Sequence, residues 1–300
     1  MGAELKRVRT SALEIAYEES GPADGAPVFL MHGFPDDVRT WDGVATPLGS
    51  LGRCRVIVPY LRGYGPTRFL SPHTMRSGQQ GALGSDLKEL MDALGIGRAT
   101  LAGYDWGGRA ACIVAALWPE RVRGLVSIGG YNVQDIAANA RPEAADLEWR
   151  YWYQWYFNTA RGVAGLAANR HDLCRLIWRM WSPNWNFDDA TYAATGRAFD
   201  NPDFVDVVIH SYRHRYRAAP SDPAYEAIER RLALRPKISV PTVVLHGAAD
   251  GVDLPALSEN AATQFAAAYR REVVPAAGHF FPREAPQKVV EAVLELSRAP

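Results

Sequence analysis

The chain has 300 residues, with 33 basic and 33 acidic side chains and a formal net charge of zero. Balanced charge argues against a nucleic-acid partner, which would require a basic face, and against attraction to an anionic membrane surface. No segment approaches the roughly 20 consecutive apolar residues of a membrane-spanning helix. The three widely spaced cysteines form no metal-binding or redox pattern, so we expect reduced thiols, no metal site and a cytoplasmic location.

In the first 130 residues, short β-branched segments alternate with turns and helical segments, a pattern typical of a parallel sheet with helices on both faces. Leucines at helical spacing between residues 83 and 94 predict a crossover helix. Further helices are predicted over residues 108–117 and 287–296. The predicted strands cover residues 28–31, 55–59, 99–103, 124–128, 242–246 and 272–275.

The alternation stops after residue 130 and returns near residue 238. We interpret residues 131–237 as a helical cap inserted between two parts of an α/β core, residues 1–130 and 238–300. Large aromatic area in this segment predicts a lid that closes an apolar pocket. Six of the nine tryptophans lie there, namely Trp149, Trp152, Trp155, Trp178, Trp181 and Trp185.

The segment Gly103-Tyr104-Asp105-Trp106-Gly107 follows a predicted strand and precedes a predicted helix. This is the pattern of a nucleophile elbow, a sharp turn that raises one side chain above the sheet. Glycines two residues before and after that side chain are required where neighbouring backbone leaves no space for a Cβ. An aspartate before a helix is often only an N-cap, but the strand and the glycines favour Asp105 as a nucleophile.

Two more residues fit the same mechanism, in the chain order nucleophile, acid, histidine. Asp250 follows one predicted strand and His279 follows the next, so both are expected at the carboxyl edge of the sheet. Asp253 is an alternative acid, and we prefer Asp250 because it lies closer to its strand. Taken singly, each residue has an ordinary structural interpretation, as a turn aspartate or a buried loop histidine.

Together with His32-Gly33-Phe34-Pro35 and Arg62-Gly63-Tyr64-Gly65, these residues resemble the α/β-hydrolases that have an aspartate nucleophile. The resemblance covers nearly the whole chain and is greatest to the epoxide hydrolases, which are related to haloalkane and fluoroacetate dehalogenases. It implies that the backbone N–H groups of Phe34 and Trp106 form an oxyanion hole and that Pro35 follows a cis bond. It also assigns His32 and Pro35 to the substrate-binding loop, which His32 would brace.

The chemistry of an aspartate nucleophile narrows the substrate. An aspartate carboxylate is ionised at neutral pH and needs no base for its first attack. Attack on an ester would give a high-energy anhydride, whereas attack on a strained or halogenated alkyl carbon gives an ordinary ester. We therefore expect a small, apolar epoxide or alkyl halide, no cofactor, and a water activated by His279 and Asp250 to hydrolyse the ester. The sequence leaves the oligomeric state open, and a homodimer is one of the alternatives.

An epoxide oxygen leaves as a basic alkoxide and needs a proton donor, which a tyrosine can supply. Tyr153, in Tyr153-Gln154-Trp155-Tyr156-Phe157, and Tyr212, in Ser211-Tyr212-Arg213, resemble the pair of cap tyrosines of epoxide hydrolases. Because the chain has 13 tyrosines, a packing role is the alternative for both. We predict epoxide hydrolysis with Tyr153 and Tyr212 as the donors.

Dehalogenation is the alternative reaction. Trp106 matches the halide-binding tryptophan of haloalkane dehalogenases, but Phe34 stands where those enzymes typically have asparagine. Arg109 and Trp155 resemble substrate-binding residues of fluoroacetate dehalogenases, while Gln154 stands in place of their histidine. Arg109 could thus bind an anionic haloacid, or it could be a surface arginine paired with a neighbouring acid. A non-catalytic binding protein is the third class, and such relatives commonly lose a triad member, whereas none is missing here.

Overall fold

The computed structural model describes residues 4–297, and its centre is one nine-stranded sheet. The sheet order is β1-β2-β4-β3-β6-β7-β8-β9, with β5 paired to β2. From β4 to β9 along this order neighbouring strands are parallel, while β1 and β2 are antiparallel to their neighbours. The strands are β1 (Glu4–Arg9), β2 (Leu13–Ser20), β3 (Ala26–Met31), β4 (Cys54–Pro59), β5 (Arg68–Phe69), β6 (Ala99–Tyr104), β7 (Val122–Ile128), β8 (Thr242–Gly247) and β9 (Tyr269–Val274).

Helices cover the sheet and fill the segment between β7 and β8. The α-helices before this segment are α1 (Asp42–Ser50), α2 (Gln80–Ala93) and α3 (Asp105–Leu117). Within it lie α4 (Ala145–Arg150), α5 (Trp152–Phe157), α6 (Ala160–Trp181), α7 (Asp189–Gly196), α8 (Phe204–Arg215) and α9 (Glu226–Leu232). After it come α10 (Pro255–Asn260), α11 (Phe281–Glu284) and α12 (Pro286–Ser297).

The α/β fold predicted from the sequence is confirmed. All six predicted strands are present, although the last begins at Tyr269, three residues before the predicted start, and ends at Val274. The helix predicted from residue 108 begins at Asp105, because the residues of the elbow already take part in its first turn. Several elements of the core were not predicted, among them the antiparallel strands β1 and β2 and the helix α1.

The parallel strands bring four chain segments to one edge of the sheet. β3, β6, β8 and β9 run in the same direction, so the loops that follow them lie at their common carboxyl end. β6 and β8 are buried along their whole length, which holds this edge rigidly. The loop after β3 contains Phe34, β6 leads directly to Asp105, and the loops after β8 and β9 contain Asp250 and His279.

We call residues 129–241 the helical insertion. Every residue of this range is described, and it contains α4 to α9 but no strand. Its helices are amphipathic, and α6 and α8 bury apolar residues such as Trp178, Trp181 and Phe204. Across residues 4–297, none of the helices combines the length and the apolar composition that crossing a bilayer requires.

Candidate active site

Asp105 lies at the turn from β6 into α3, at a backbone φ of 49°, which is unusual for a residue with a side chain. The glycines around it are required by close backbone contacts. A Cβ on Gly103 would lie 2.5 Å from the carbonyl oxygen of Gly107, and a Cβ on Gly107 would lie 2.1 Å from that of Met31. The turn therefore has the tight geometry of a nucleophile elbow.

The loop after β3 contacts the Asp105 carboxylate through backbone. The N–H of Phe34 donates to Oδ1 of Asp105 at 2.7 Å. A Cβ on Gly33 would lie 2.5 Å from the Cβ of Asp105, so this approach depends on a glycine. The Phe34–Pro35 peptide bond is cis. A second donor is available from Trp106, whose N–H belongs to the first turn of α3 and so has no partner within the helix.

His279 and Asp250 form a hydrogen-bonded pair. Nδ1 of His279 lies 3.0 Å from Oδ2 of Asp250, and both residues are buried. The other carboxylate oxygen of Asp250 accepts from the backbone N–H groups of Val252 and Asp253, each at 2.9 Å. This arrangement fixes the ring of His279 and leaves its Nε2 without a partner among the described residues. Such a nitrogen is free to contact a water or a substrate.

The charge state of His279 depends on its acidic neighbours. Burial lowers the pKa of this imidazole, but the Asp250 carboxylate, its hydrogen bond and then Asp105 and Asp253 raise it to about 9. His279 is therefore an imidazolium in the unreacted protein at neutral pH. Any event that removes the negative charge of Asp105 lowers the pKa of His279 and favours the neutral, basic form.

Asp253 also lies near the pair. One carboxylate oxygen of Asp253 is within 4.8 Å of side-chain atoms of both Asp250 and His279, the one group of three that could hold a metal ion within residues 4–297. Because Asp250 already engages Nδ1 of His279, the geometry fits an acid–histidine pair better than a metal site. Tyr151 donates to Asp253 at 3.4 Å, and burial and Asp250 raise the pKa of Asp253.

A cavity of about 400 Å³ opens above Asp105, between the sheet edge and the helical insertion. Asp105 and His279 line it from the core, and Tyr153, Trp155 and Trp181 line it from the insertion. Several buried polar atoms around it have no partner among the described residues: Nε2 of His279, Oη of Tyr212, Nε of Arg109, and the indole nitrogens of Trp106 and Trp181. Unpaired buried donors of this kind cost free energy unless a ligand or water satisfies them.

The two predicted tyrosines are neighbours in the structure, with ring centres 5.2 Å apart. Tyr153 lines the cavity, whereas Tyr212 is fully buried beside it and is not part of the lining. Phe34 packs against both tyrosines, with its ring centre 5.3 Å from that of Tyr212 and 6.4 Å from that of Tyr153. Burial raises the pKa of both tyrosines, so both hydroxyls hold their protons at neutral pH.

Arg109 lies one helical turn after Asp105 and lines the cavity. Its interpretation as a surface arginine is wrong, since only 7% of the residue is exposed. Within residues 4–297, no acidic side chain forms an ion pair with it and its Nε has no hydrogen-bond partner. Burial, and then Arg215, lower the pKa of Arg109 to about 10.

The other predicted binding residues occupy different positions. Trp155 lines the cavity at its exposed side and packs on Tyr216, with ring centres 4.5 Å apart. His32 and Pro35 are not part of the lining. Nε2 of His32 lies 3.1 Å from the N–H of Leu61, and burial lowers the pKa of His32 to about 4, so it braces the loop in the neutral form.

Several polar residues of the cavity wall were not predicted as site residues, among them Gln154 and Arg215. Gln154 is named from the sequence only as a difference from fluoroacetate dehalogenases, and Arg215 is not among the predicted site residues. The structure places both in the cavity lining. The available signal was helical spacing, because Arg215 follows Tyr212 by three residues and lies on the same face of α8. Trp181 was recognised only as an aromatic residue of the cap.

Comparison with known proteins supports the fold described above. A family model described as the alpha/beta hydrolase fold matches residues 26–286. A crystal structure from Klebsiella pneumoniae, provisionally described as an epoxide hydrolase, is 46% identical with a TM-score of 0.96 and covers 98% of this chain and 97% of that chain. Epoxide hydrolase A of Mycobacterium tuberculosis is 25% identical over 323 residues, which cover 98% of this chain and 98% of that protein.

Relatives of the dehalogenase branch also match. A haloalkane dehalogenase of Mycolicibacterium paratuberculosis is 28% identical over 248 residues, which cover 81% of this chain and 74% of that protein. The first curated relatives are named epoxide hydrolases, and the match covers only 33 to 37% of their length.

Proposed function

Because the chain belongs to the α/β-hydrolase fold family, we propose that it hydrolyses epoxides to vicinal diols through a covalent ester on Asp105. The observation that carries this proposal is the joint position of Asp105 and Tyr153 in one cavity, the first as an anchored carboxylate and the second as a protonated hydroxyl. The full-length similarity to an epoxide hydrolase of M. tuberculosis supports it.

The first step is alkylation of Asp105. Oδ1 accepts from the N–H of Phe34, which leaves Oδ2 to attack an epoxide carbon. The ring oxygen then takes a proton from the Tyr153 hydroxyl, with Tyr212 beside it as the second donor. Tyr153 lines the cavity and the hydroxyl of Tyr212 has no other partner among the described residues, which supports these roles.

The second step is hydrolysis of the ester. Alkylation removes the negative charge of Asp105, so the pKa of His279 falls and a larger fraction of the imidazole is neutral, with Nε2 able to act as a base. A water activated there attacks the ester carbonyl carbon, and the developing oxyanion is stabilised by the N–H groups of Phe34 and Trp106. Asp250 holds the imidazole in place throughout. The protein needs no cofactor for either step.

The helical insertion acts as a cap in this proposal. It supplies Tyr153 and Trp181 to the cavity and covers the sheet edge, which excludes bulk water and strengthens every donor in the site. We propose a division into core residues 1–130, cap residues 131–237 and core residues 238–300, and the position of α4 to α9 between β7 and β8 supports it. The substrate is a small molecule that fits about 400 Å³.

Hydrolytic dehalogenation of a haloacid is the second candidate, and Arg109 favours it. A buried guanidinium without a carboxylate partner costs several kcal/mol, and the carboxylate of a haloacid would offset this. The test is halide release from a short 2-haloacid and from its neutral amide. This candidate predicts release from the acid only, and its loss in Arg109→Met; equal release from acid and amide contradicts it.

Covalent trapping tests the main proposal. The His279→Gln protein, incubated with styrene oxide and a panel of small alkyl epoxides, is expected to gain the mass of one epoxide, located on Asp105 by peptide mapping. The matched control is the same protein with Asp105→Asn, which must gain nothing. Tyr153→Phe combined with Tyr212→Phe is expected to abolish the increment. If no epoxide adds to the His279→Gln protein, the covalent mechanism is wrong.

A further inference from the structure

Arg215, the last residue of α8, presents a guanidinium to the cavity without a carboxylate partner among the described residues. Its Nη1 donates to Oε1 of Gln154 at 3.0 Å. With the amide of Gln134 oriented so that its oxygen faces Arg215, that oxygen accepts from Nε at 2.6 Å and from Nη2 at 3.0 Å. Arg215 is therefore held by neutral amides and forms no ion pair within residues 4–297.

The contacts of Gln154 fix the direction of its amide. Arg215 has only donors, so the Gln154 oxygen must face it, and the hydroxyl of Tyr216 donates to the same oxygen at 2.8 Å. The NH₂ group consequently faces Tyr153, with Nε2 3.0 Å from the phenolic oxygen. Because an amide NH₂ group can only donate, the Tyr153 oxygen accepts this hydrogen bond, and the hydroxyl proton of Tyr153 points away from Gln154.

The charge of Arg215 also acts on both tyrosines. Its Cζ lies 4.8 Å from the centre of the Tyr212 ring. Burial raises the pKa of Tyr153 and of Tyr212, and Arg215 opposes that rise in each case, while Asp105 adds to it. A guanidinium at this position favours the phenolate over the phenol, which is the change of state that a tyrosine acid undergoes.

We infer that Arg215 and Gln154 are positioning residues that direct the proton of Tyr153 into the cavity and stabilise the phenolate left after the proton is transferred. This inference rests on the proposed epoxide hydrolysis. Gln154 contributes a hydrogen bond to the phenolic oxygen that strengthens as charge develops, and Arg215 orients Gln154 and contributes the charge. Neither residue needs to touch the substrate.

The proton balance of the cycle is complete with these residues. As the bond from Oδ2 of Asp105 to carbon forms, the carbon–oxygen bond of the epoxide breaks and the ring oxygen takes the Tyr153 proton. After alkylation, His279 releases its imidazolium proton to solvent. The neutral imidazole then takes one proton from the attacking water and returns it to the departing alkoxide, and His279 regains a proton from solvent once Asp105 is ionised again. The second proton of that water remains on the Asp105 carboxyl and returns to the Tyr153 phenolate. One water is consumed and one diol is released.

The test measures the alkylation rate in the His279→Gln protein, where the ester accumulates. Styrene oxide is the probe, because it is neutral and its reaction does not depend on an anion-binding role of Arg215. Arg215→Met and Gln154→Leu are each expected to slow the appearance of the mass increment about 10- to 100-fold, as expected for losing a charge-assisted hydrogen bond. Arg215→Lys, which keeps the charge, is expected to lose less.

The matched control is Arg213→Met on the same helix. Arg213 donates only to the backbone carbonyls of Phe157 and Thr159, so its loss is expected to change the alkylation rate less than about twofold. A rescue experiment distinguishes a loss of acid strength at Tyr153 from a packing defect. A difluorotyrosine at position 153, whose phenol is more acidic, is expected to restore most of the rate in Arg215→Met and little in a merely misfolded protein.

The outcomes are distinguishable from failure of the proposed function. If the His279→Gln protein itself gains no mass, the epoxide proposal fails first. If it is alkylated, and Arg215→Met and Gln154→Leu are alkylated at the rate of the Arg213→Met control, the inference is overturned. It is overturned as well if their rates fall but the difluorotyrosine at position 153 gives no recovery.

Discussion

Replacing Asp105 by asparagine is expected to lower the pKa of His279. Three carboxylates surround this imidazole: Asp250 acts on it most strongly, followed by Asp105 and Asp253. Asparagine has almost the shape of aspartate and keeps an oxygen for the N–H of Phe34, so the substitution removes the charge and little else. The change reproduces, in a stable protein, the loss of charge that the proposed alkylation of Asp105 would cause.

The size of the effect follows from the structure. The pKa of His279 is about 9 against an ordinary value of 6.5, a difference equivalent to about 3 kcal/mol in favour of the imidazolium. At pH 7 only about 1% of the unreacted protein would hold the neutral base. Asp105 is not the largest contributor, so we expect its removal to lower the pKa of His279 by about 1 unit.

Titration followed by NMR of protein labelled with ¹⁵N-histidine measures this pKa directly, and the His279→Gln spectrum assigns the signal. Asp189→Asn is the matched control, because Asp189 is exposed on α7 and pairs with Arg175 away from the cavity. The control is expected to leave the pKa of His279 unchanged. An unchanged or higher pKa in Asp105→Asn would refute the electrostatic coupling between Asp105 and His279.

Three further predictions concern stability. Gly107→Ala is expected to prevent folding or lower the melting temperature severely, because the added methyl would overlap a backbone carbonyl of β3. The control is Gly97→Ala, where no atom lies within 4 Å of the added Cβ, and its melting temperature is expected to change little. The raised pKa of His279 contributes stability that is complete below pH 6.5 and lost as pH rises through about 9. The difference in unfolding free energy between the natural protein and His279→Gln is therefore expected to decrease by up to about 3 kcal/mol across that range. A difference that does not change with pH contradicts the raised pKa. Arg62→Met leaves the buried carboxylate of Asp86, bonded to Arg62 through both oxygens at 2.6 Å, without its cation, and is expected to cost about 3–5 kcal/mol in urea unfolding, while the added change Asp86→Leu recovers much of that loss.

The α/β core was predictable because its strands carry strong local signals. β6 and β8 are short apolar segments that are buried on both faces, and each ends beside a turn. The elbow was also predictable, since close backbone contacts require glycine at positions 103 and 107, and this pattern is visible in the sequence. Because parallel strands end at one edge, the order of the chain was sufficient to bring Asp105, Asp250 and His279 together.

Other parts of the fold carry weak local signals. β1 is mostly exposed at the sheet edge, so its sequence lacks the alternation that identifies a half-buried strand. α1 contains Pro47 and two glycines, which disfavour a helix, and packing of Val44 and Leu48 in the core outweighs this preference.

The cavity wall was the least predictable feature. Arg109 and Arg215 are far apart in the chain, and they line one cavity because the helical insertion lies over the core. A run of arginines at the end of a helix looks like a solvated surface, because charged residues there also suit the helix dipole. Only the packing of the helical insertion distinguishes Arg215, which faces the cavity, from Arg213, which holds backbone carbonyls.

The covalent use of Asp105 is tested most directly by a single turnover in oxygen-18 water, with enzyme in excess over styrene oxide. If Asp105 attacks the epoxide and water then attacks the ester carbonyl, the heavy oxygen enters the Asp105 carboxylate and the first diol released is unlabelled. Peptide mass analysis and the mass of the diol report both results. Label in the diol, with none in the peptide that contains Asp105, would mean that water attacks the epoxide directly and would contradict the account.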